Sequence, residues 1–172
     1  MNLANKITLL RIILIPLFLF FIYSNIEYNM IISTVIFVIA SITDYLDGYV
    51  ARSRNEVTNF GKFLDPLADK LMVTAAFISL VELGRIEGWI IFIIIAREFA
   101  ITGFRAVAAS DGLVIAASIW GKIKTVTQII AIILALLNVP YYNVVVIIAL
   151  IATILSGVDY IYKNKNVLNT NN

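Results

Sequence analysis

The chain has 172 residues, 61% of them hydrophobic and 14% charged, with a formal net charge of +2 and a mean hydropathy of +0.95. A composition so apolar and so weakly charged excludes an ordinary soluble domain and points to an integral membrane protein. Cysteine and histidine are both absent, which excludes thiolate nucleophiles, disulfides, zinc sites of the Cys/His type and imidazole bases, and leaves acid–base chemistry to carboxylates, Lys or Tyr.

A spanning helix needs about 20 mostly apolar residues. The stretches 8–25, 29–50, 61–82, 87–109, 116–138 and 141–162 meet that need. They predict an all-α membrane protein of about six transmembrane helices, with a single domain over residues 1–165 and a polar tail over 166–172. The opening MNLANKITLLRIILIP has the basic start and apolar run of a signal peptide, but the FIYSNIEYN that follows is bulky and polar and offers no small-residue cleavage site. A retained first helix, preceded by a short amphipathic segment NKITLLR, is the expectation.

Between the second and third stretches the chain reads TDYLDGYVARSRNEVTNFGKFLDPLADK, residues 43–70, with aspartates at 44, 47, 65 and 69. A solvated loop is the plain reading, and the spacing argues for more. Asp44 and Asp47 are three apart and Asp65 and Asp69 four apart, so each pair shares one helix face. Two such pairs at the ends of consecutive helices can face each other. Four clustered carboxylates repel and tend to hold protons unless cations offset the charge. Oxygen ligands alone, with no Cys or His, suit Mg²⁺ or Mn²⁺. Gly48 and Ala51, one turn apart, and Gly61 remove side-chain bulk, as a ligand lying against the backbone requires. Arg52 and Arg54 supply positive charge for an anionic substrate, and Thr58 a hydroxyl. Pro66 predicts a kink or a late start to the third helix.

The basic residues set the orientation. With both termini in the cytoplasm, Lys6, Arg11, Arg52, Arg54, Lys62, Lys70, Arg97, Arg105, Lys122, Lys124, Lys163 and Lys165 lie on or toward the cytoplasmic side, and only Arg85 falls outside. The aspartate segment then faces the cytoplasm at the cell membrane.

The pattern Asp44-x-x-Asp47-Gly48-x-x-Ala51-Arg52, eight residues, Gly61-x-x-x-Asp65-x-x-x-Asp69 resembles the complete signature of the CDP-alcohol phosphatidyltransferases. The resemblance implies a two-metal site with Asp44, Asp47 and Asp65 as ligands, and Asp69 as both ligand and catalytic base. It also implies that Gly48, Arg52 and Thr58 hold the CDP-activated lipid, that an alcohol attacks the lipid-linked phosphate with CMP leaving, and that the protein is a homodimer. No nucleic-acid partner is expected.

Three further segments resemble the phosphatidylglycerophosphate synthase branch of that family. The opening Asn5-x-x-Thr8-x-x-Arg11 is similar to its N-terminal motif, with Ala4 where a proline is usual, and implies Asn5 and Thr8 as further contacts to CDP-diacylglycerol. AREFAITGFR supplies Arg97, Glu98 and Arg105; WGKIKTVTQ supplies Lys122, Lys124 and Gln128, the last two on one helical stripe. Glycerol 3-phosphate, the acceptor this branch implies, needs cations for its phosphate, and Arg97, Arg105, Lys122 and Lys124 are the available set. Ordinary anchoring to lipid headgroups is the competing reading for each of the four. Glu98 reads as a structural partner for a neighbouring arginine. Trp89, Trp120, Tyr141, Tyr142, Tyr160 and Tyr162 read as interfacial anchors, and Asp159 with Tyr160 as a brace to another helix. Another acceptor (inositol phosphate, serine or phosphatidylglycerol) is the alternative within the family. A cation transporter, which would place its acids near the bilayer midplane, and a membrane scaffold are the alternatives outside it.

Overall fold

The computed structural model describes the backbone of residues 3–53, 59–110 and 118–165, and the side chains in those ranges other than 3–8, 44–53, 59–67 and 69. Among the described residues there are six α-helices and no strand: α1 (Leu3–Tyr23), α2 (Asn29–Ser53), α3 (Asn59–Glu82), α4 (Gly88–Ser110), α5 (Ile119–Leu136) and α6 (Tyr142–Lys163). Every apolar stretch expected from the sequence finds its helix. Two expectations change. NKITLLR forms the first turns of α1 rather than a separate segment, and α3 begins at Asn59, seven residues before Pro66. A proline lacks one backbone donor, yet α3, which packs against α1 and α2, continues through it. Tertiary contact here outweighs the local preference.

The chain divides into two compact units, Met1–Arg85 with Ile132–Val139, and Ile86–Ala131 with Pro140–Asn172. In the first, α1 packs against both α2 and α3, which also touch each other. Their inward stripes follow helical spacing: Arg11, Phe18 and Ile22 on α1; Ser33, Phe37 and Ala40 on α2; Met72, Ala76 and Leu80 on α3, all buried. Phe18 meets Phe37 with ring centroids 6.3 Å apart.

The far ends of this unit are tied by polar contacts. The Tyr23 hydroxyl, at the end of α1, contacts Glu82 and Ser79 at the end of α3. Gly84 adopts φ +67°, so α3 closes with the Gly84 amide donating to Val81 and the Arg85 amide to Leu80. Asn138, at φ +52°, closes α5 in the same way, its amide donating to Ala135 and that of Val139 to Leu134. Arg85 Nη1 then donates to the carbonyls of Ala135 and Leu136, each at 2.6 Å. The C-terminal ends of α1, α3 and α5 therefore lie together. The one basic residue on the wrong side of the charge pattern sits at a helix C-terminus, where a cation is favoured.

In the second unit, Arg97 meets Ser156 and Phe104 meets Tyr160, so α4 and α6 run parallel. Ser118 meets Asp159 and Gln128 meets Thr153, so α5 runs antiparallel to α6. The inward face of α6 carries Ala149, Ala152, Thr153, Ser156 and Gly157, while its outward face carries Ile147, Ile151, Leu155 and Val158. Small residues inside and large apolar ones outside invert the pattern of a soluble helix. That inversion is how helices pack closely in lipid. Ile119–Leu136 and Tyr142–Lys163 are long and apolar enough to cross a membrane; Leu9–Tyr23 and Asn29–Thr43 are apolar but shorter among the described residues.

Candidate active site

The backbone places the acid–glycine pattern on two helices. Asp44, Asp47, Gly48, Ala51 and Arg52 all lie on α2, and Gly61, Asp65 and Asp69 all lie on α3. Asn5 and Thr8 lie in the first turns of α1. Thr58 is outside the described residues, as are the side chains at all the other positions just named. What the backbone supplies is height and register.

Five residues, 54–58, separate α2 from α3. Two touching helices with so short a link form an antiparallel hairpin. Asp44 and Asp47 stand nine and six residues before Ser53, which is about 14 and 9 Å from the end of α2 at 1.5 Å per residue. Asp65 and Asp69 stand six and ten residues after Asn59, about 9 and 15 Å into α3. The two pairs thus occupy the same height in the hairpin. Register adds a second match. The buried stripe Ser33, Phe37, Ala40 continues in steps of four and three to positions 44 and 47. On α3 the buried positions Leu80, Ala76 and Met72 continue backward in the same rhythm to 69 and 65. Positions 44, 47, 65 and 69 thus continue the spacing of the buried positions on their helices.

The second cluster is built by α4, α5 and α6. Glu98 Oε1 accepts from Arg97 Nη1 at 3.1 Å and from Lys124 Nζ at 2.6 Å. Arg97 Nη2 donates to Ser156 Oγ at 2.8 Å. One turn along α5 from Lys124, the buried Gln128 donates to Thr153 Oγ1 at 2.9 Å. Glu98 is thus the expected partner for Arg97, and it takes Lys124 as well. Lys122 and Arg105 are exposed, so the four basic candidates divide into two held in this network and two facing outward. Room for the arginine comes from Gly157: a Cβ there would stand 3.2 Å from Arg97 Cγ. Among the described residues no group of three or more metal-ligating acids occurs.

The CDP-alcohol phosphatidyltransferase family model matches residues 1–155. The chain belongs to that family. It is 44% identical to the CDP-diacylglycerol–glycerol-3-phosphate 3-phosphatidyltransferase of Bacillus subtilis, with 99% of each chain covered. To the Haemophilus influenzae protein of the same name it is 41% identical, over 97% of this chain and 95% of the relative. A probable phosphatidylglycerophosphate synthase of Mycobacterium tuberculosis is 38% identical over 93% of this chain.

For a CDP-alcohol phosphatidyltransferase, the residues that sequence reasoning passed over are on α6. Ser156 and Gly157 seat Arg97; Tyr160, expected both as an interfacial anchor and as a brace to another helix, is 6% exposed with its ring edge-on to Phe104 of α4 at 5.9 Å, which is a brace. The available signal was the run of small residues one turn apart on a helix otherwise filled with Ile, Val and Leu. Asp159 does brace another element, accepting from Ser118 and Lys163. Arg11, named in the opening motif and in the cytoplasmic basic set, is 1% exposed.

Proposed function

We propose that this protein is an integral membrane enzyme that transfers the phosphatidyl group of CDP-diacylglycerol to glycerol 3-phosphate, giving phosphatidylglycerophosphate and CMP. The observation that carries the reading is the common height and register of the two aspartate pairs on α2 and α3, joined to the names borne by relatives alike over nearly the whole chain.

Four carboxylates at one level of a two-helix hairpin, with oxygen as their only donor atom, fit two divalent cations of the Mg²⁺ or Mn²⁺ kind. Asp44, Asp47, Asp65 and Asp69 would hold them. When bound, the cations offset the carboxylate charge and stabilise the charge that develops on the transferring phosphoryl group and on the departing CMP oxygen. Asn5, Thr8, Gly48, Ala51, Arg52, Thr58 and Gly61 bind and orient CDP-diacylglycerol, the small residues by letting it approach the backbone. Asp69 accepts the proton of the acceptor hydroxyl as that oxygen bonds to the lipid-linked phosphorus and the bond to CMP breaks. A carboxylate suffices because the hydroxyl becomes acidic only as the new bond forms. The acceptor phosphate is held by basic residues of α4 and α5.

The helix directions support six passes with both termini and the aspartates on the cytoplasmic side of the cell membrane. Residues 1–165 are a single catalytic domain in membrane lipid, paired as a homodimer.

Purified protein with CDP-diacylglycerol, glycerol 3-phosphate and Mg²⁺ or Mn²⁺ is expected to release CMP. Release with inositol phosphate, serine or phosphatidylglycerol, and none with glycerol 3-phosphate, would reassign the acceptor. Metal-dependent ion flux in liposomes without CMP release would overturn the enzyme reading altogether.

A further inference from the structure

We infer that Asp159 is a positioning residue: from α6 it fixes the start of α5 through Ser118, and so sets where Lys124 stands for the acceptor; this rests on the reaction proposed above. Two hydrogen bonds in series carry it. Ser118 precedes the first residue of α5 and its carbonyl accepts from the Lys122 amide, which makes it the N-cap. Its hydroxyl accepts from the Trp120 amide at 3.1 Å and donates to Asp159 Oδ2 at 3.2 Å. A hydroxyl that donates to a carboxylate accepts more strongly on its other side. Asp159 therefore strengthens the cap that it holds.

Helix dipoles account for the carboxylate's place. Asp159 lies about one turn from the end of α6, where negative charge is disfavoured. Because α5 runs antiparallel, the same carboxylate meets the N-terminal end of α5, where negative charge is favoured. Lys163, one turn on, offsets the cost on α6 with its Nζ 2.8 Å from Oδ1. A residue disfavoured by its own helix and favoured by the neighbouring one is directed at the neighbour.

The consequence falls on Lys124. Two ties join α5 to α6: Ser118 to Asp159 and, further along, Gln128 to Thr153. Lys124 lies between them in the sequence, buried, with its Nζ 2.6 Å from Glu98 of α4. A tie on each side fixes the turn of helix that carries the lysine. With the Ser118 tie cut, the first turn of α5 frays as a helix end does when its cap is lost. Lys124 then keeps only the Gln128 tie of the two, and its ammonium is placed less well for an anionic acceptor.

The test uses the full-length enzyme in detergent. Asp159→Ala is expected to raise KM for glycerol 3-phosphate about fivefold, the worth of one capping bond, with KM for CDP-diacylglycerol and kcat unchanged. Asp159→Asn keeps an oxygen for the Ser118 hydroxyl and should recover most of the wild-type KM. Lys163→Ala should leave that constant where it is. Ser118→Ala should raise it, and adding Asp159→Ala to Ser118→Ala should raise it little further, because both remove one tie. Amide hydrogen exchange over residues 118–124 is independent of turnover, and should be about fivefold faster in Asp159→Ala and unchanged in Lys163→Ala.

Unchanged exchange in Asp159→Ala would overturn the role. So would faster exchange with an unchanged acceptor KM, or a parallel rise in both substrates' KM with a lower unfolding temperature, since either leaves only a brace of the fold. If the wild type turns over a different alcohol, the reaction proposed above fails, and the exchange of residues 118–124 still decides whether Asp159 sets the start of α5.

Discussion

The two units handle charge in opposite ways. In the first, α2 and α3 carry four aspartates at one height, on stripes that are otherwise apolar or small. In the second, Glu98 is shared between Arg97 and Lys124, and Ser156, Gln128 and Thr153 complete a network whose parts satisfy one another. Concentrated like charge, left to itself, works against folding, which is why cations are proposed there. Mutually paired charge stabilises its surroundings and can be retained for packing alone. The first unit therefore carries its proposed chemistry in the spacing of its acids, whereas the second pairs its charges with one another.

The strongest way to break this contrast is Asp69→Asn. If the acids are there for chemistry, CMP release should fall by at least about a hundredfold, the contribution of a general base, while the unfolding temperature holds or rises because one repelling charge is gone. Full activity would remove Asp69 from its role. Chelation comes next. EDTA should abolish CMP release, Mg²⁺ or Mn²⁺ should restore it, and the metal-free protein should unfold at a lower temperature as the carboxylates repel.

Glu98→Ala probes the other unit and should reverse the pattern. Removing the shared carboxylate leaves two largely buried cations without it, at a cost of about 2–3 kcal/mol, read as a lower unfolding temperature in detergent. Arg85→Ala should cost about 1–2 kcal/mol, since two charge-assisted bonds to the end of α5 are lost. Smallest is Lys163→Ala. Its partner Asp159 is one turn away on the same helix and the lysine is exposed, so solvent screens the pair and the unfolding temperature should not move.

How much was legible follows the same division. All six helices could be placed from runs of apolar residues, because a segment spanning lipid must be apolar over a fixed length. The acids could be placed in pairs on α2 and α3 because their spacing matches one turn of a helix. Pro66 misled in part: a late start to α3 was one of its expected effects, yet α3 begins at Asn59, and its packing on α1 and α2 is a long-range term that no window of sequence contains. Tyr160 was read two ways, as an interfacial anchor and as a brace to another helix, and its contact with Phe104 favours the second. An aromatic near the end of an apolar run is commonly an anchor, and only Arg97, Gly157 and Phe104, brought together from different helices, show that its hydroxyl is inside. The division of the four basic candidates into two paired and two exposed was equally invisible, since Lys122 and Lys124 differ only in which side of α5 they occupy.

The contact of Arg85 with Ala135 and Leu136 bears on the order of assembly. The arginine emerges fifty residues before its acceptors, so a nascent chain that ends anywhere before α5 carries the charge without those carbonyls. The first unit, though it holds all four aspartates, is incomplete until the fifth helix has been made. A truncation after α3 or α4 should therefore be a poor substrate for folding and a good one for quality-control proteolysis.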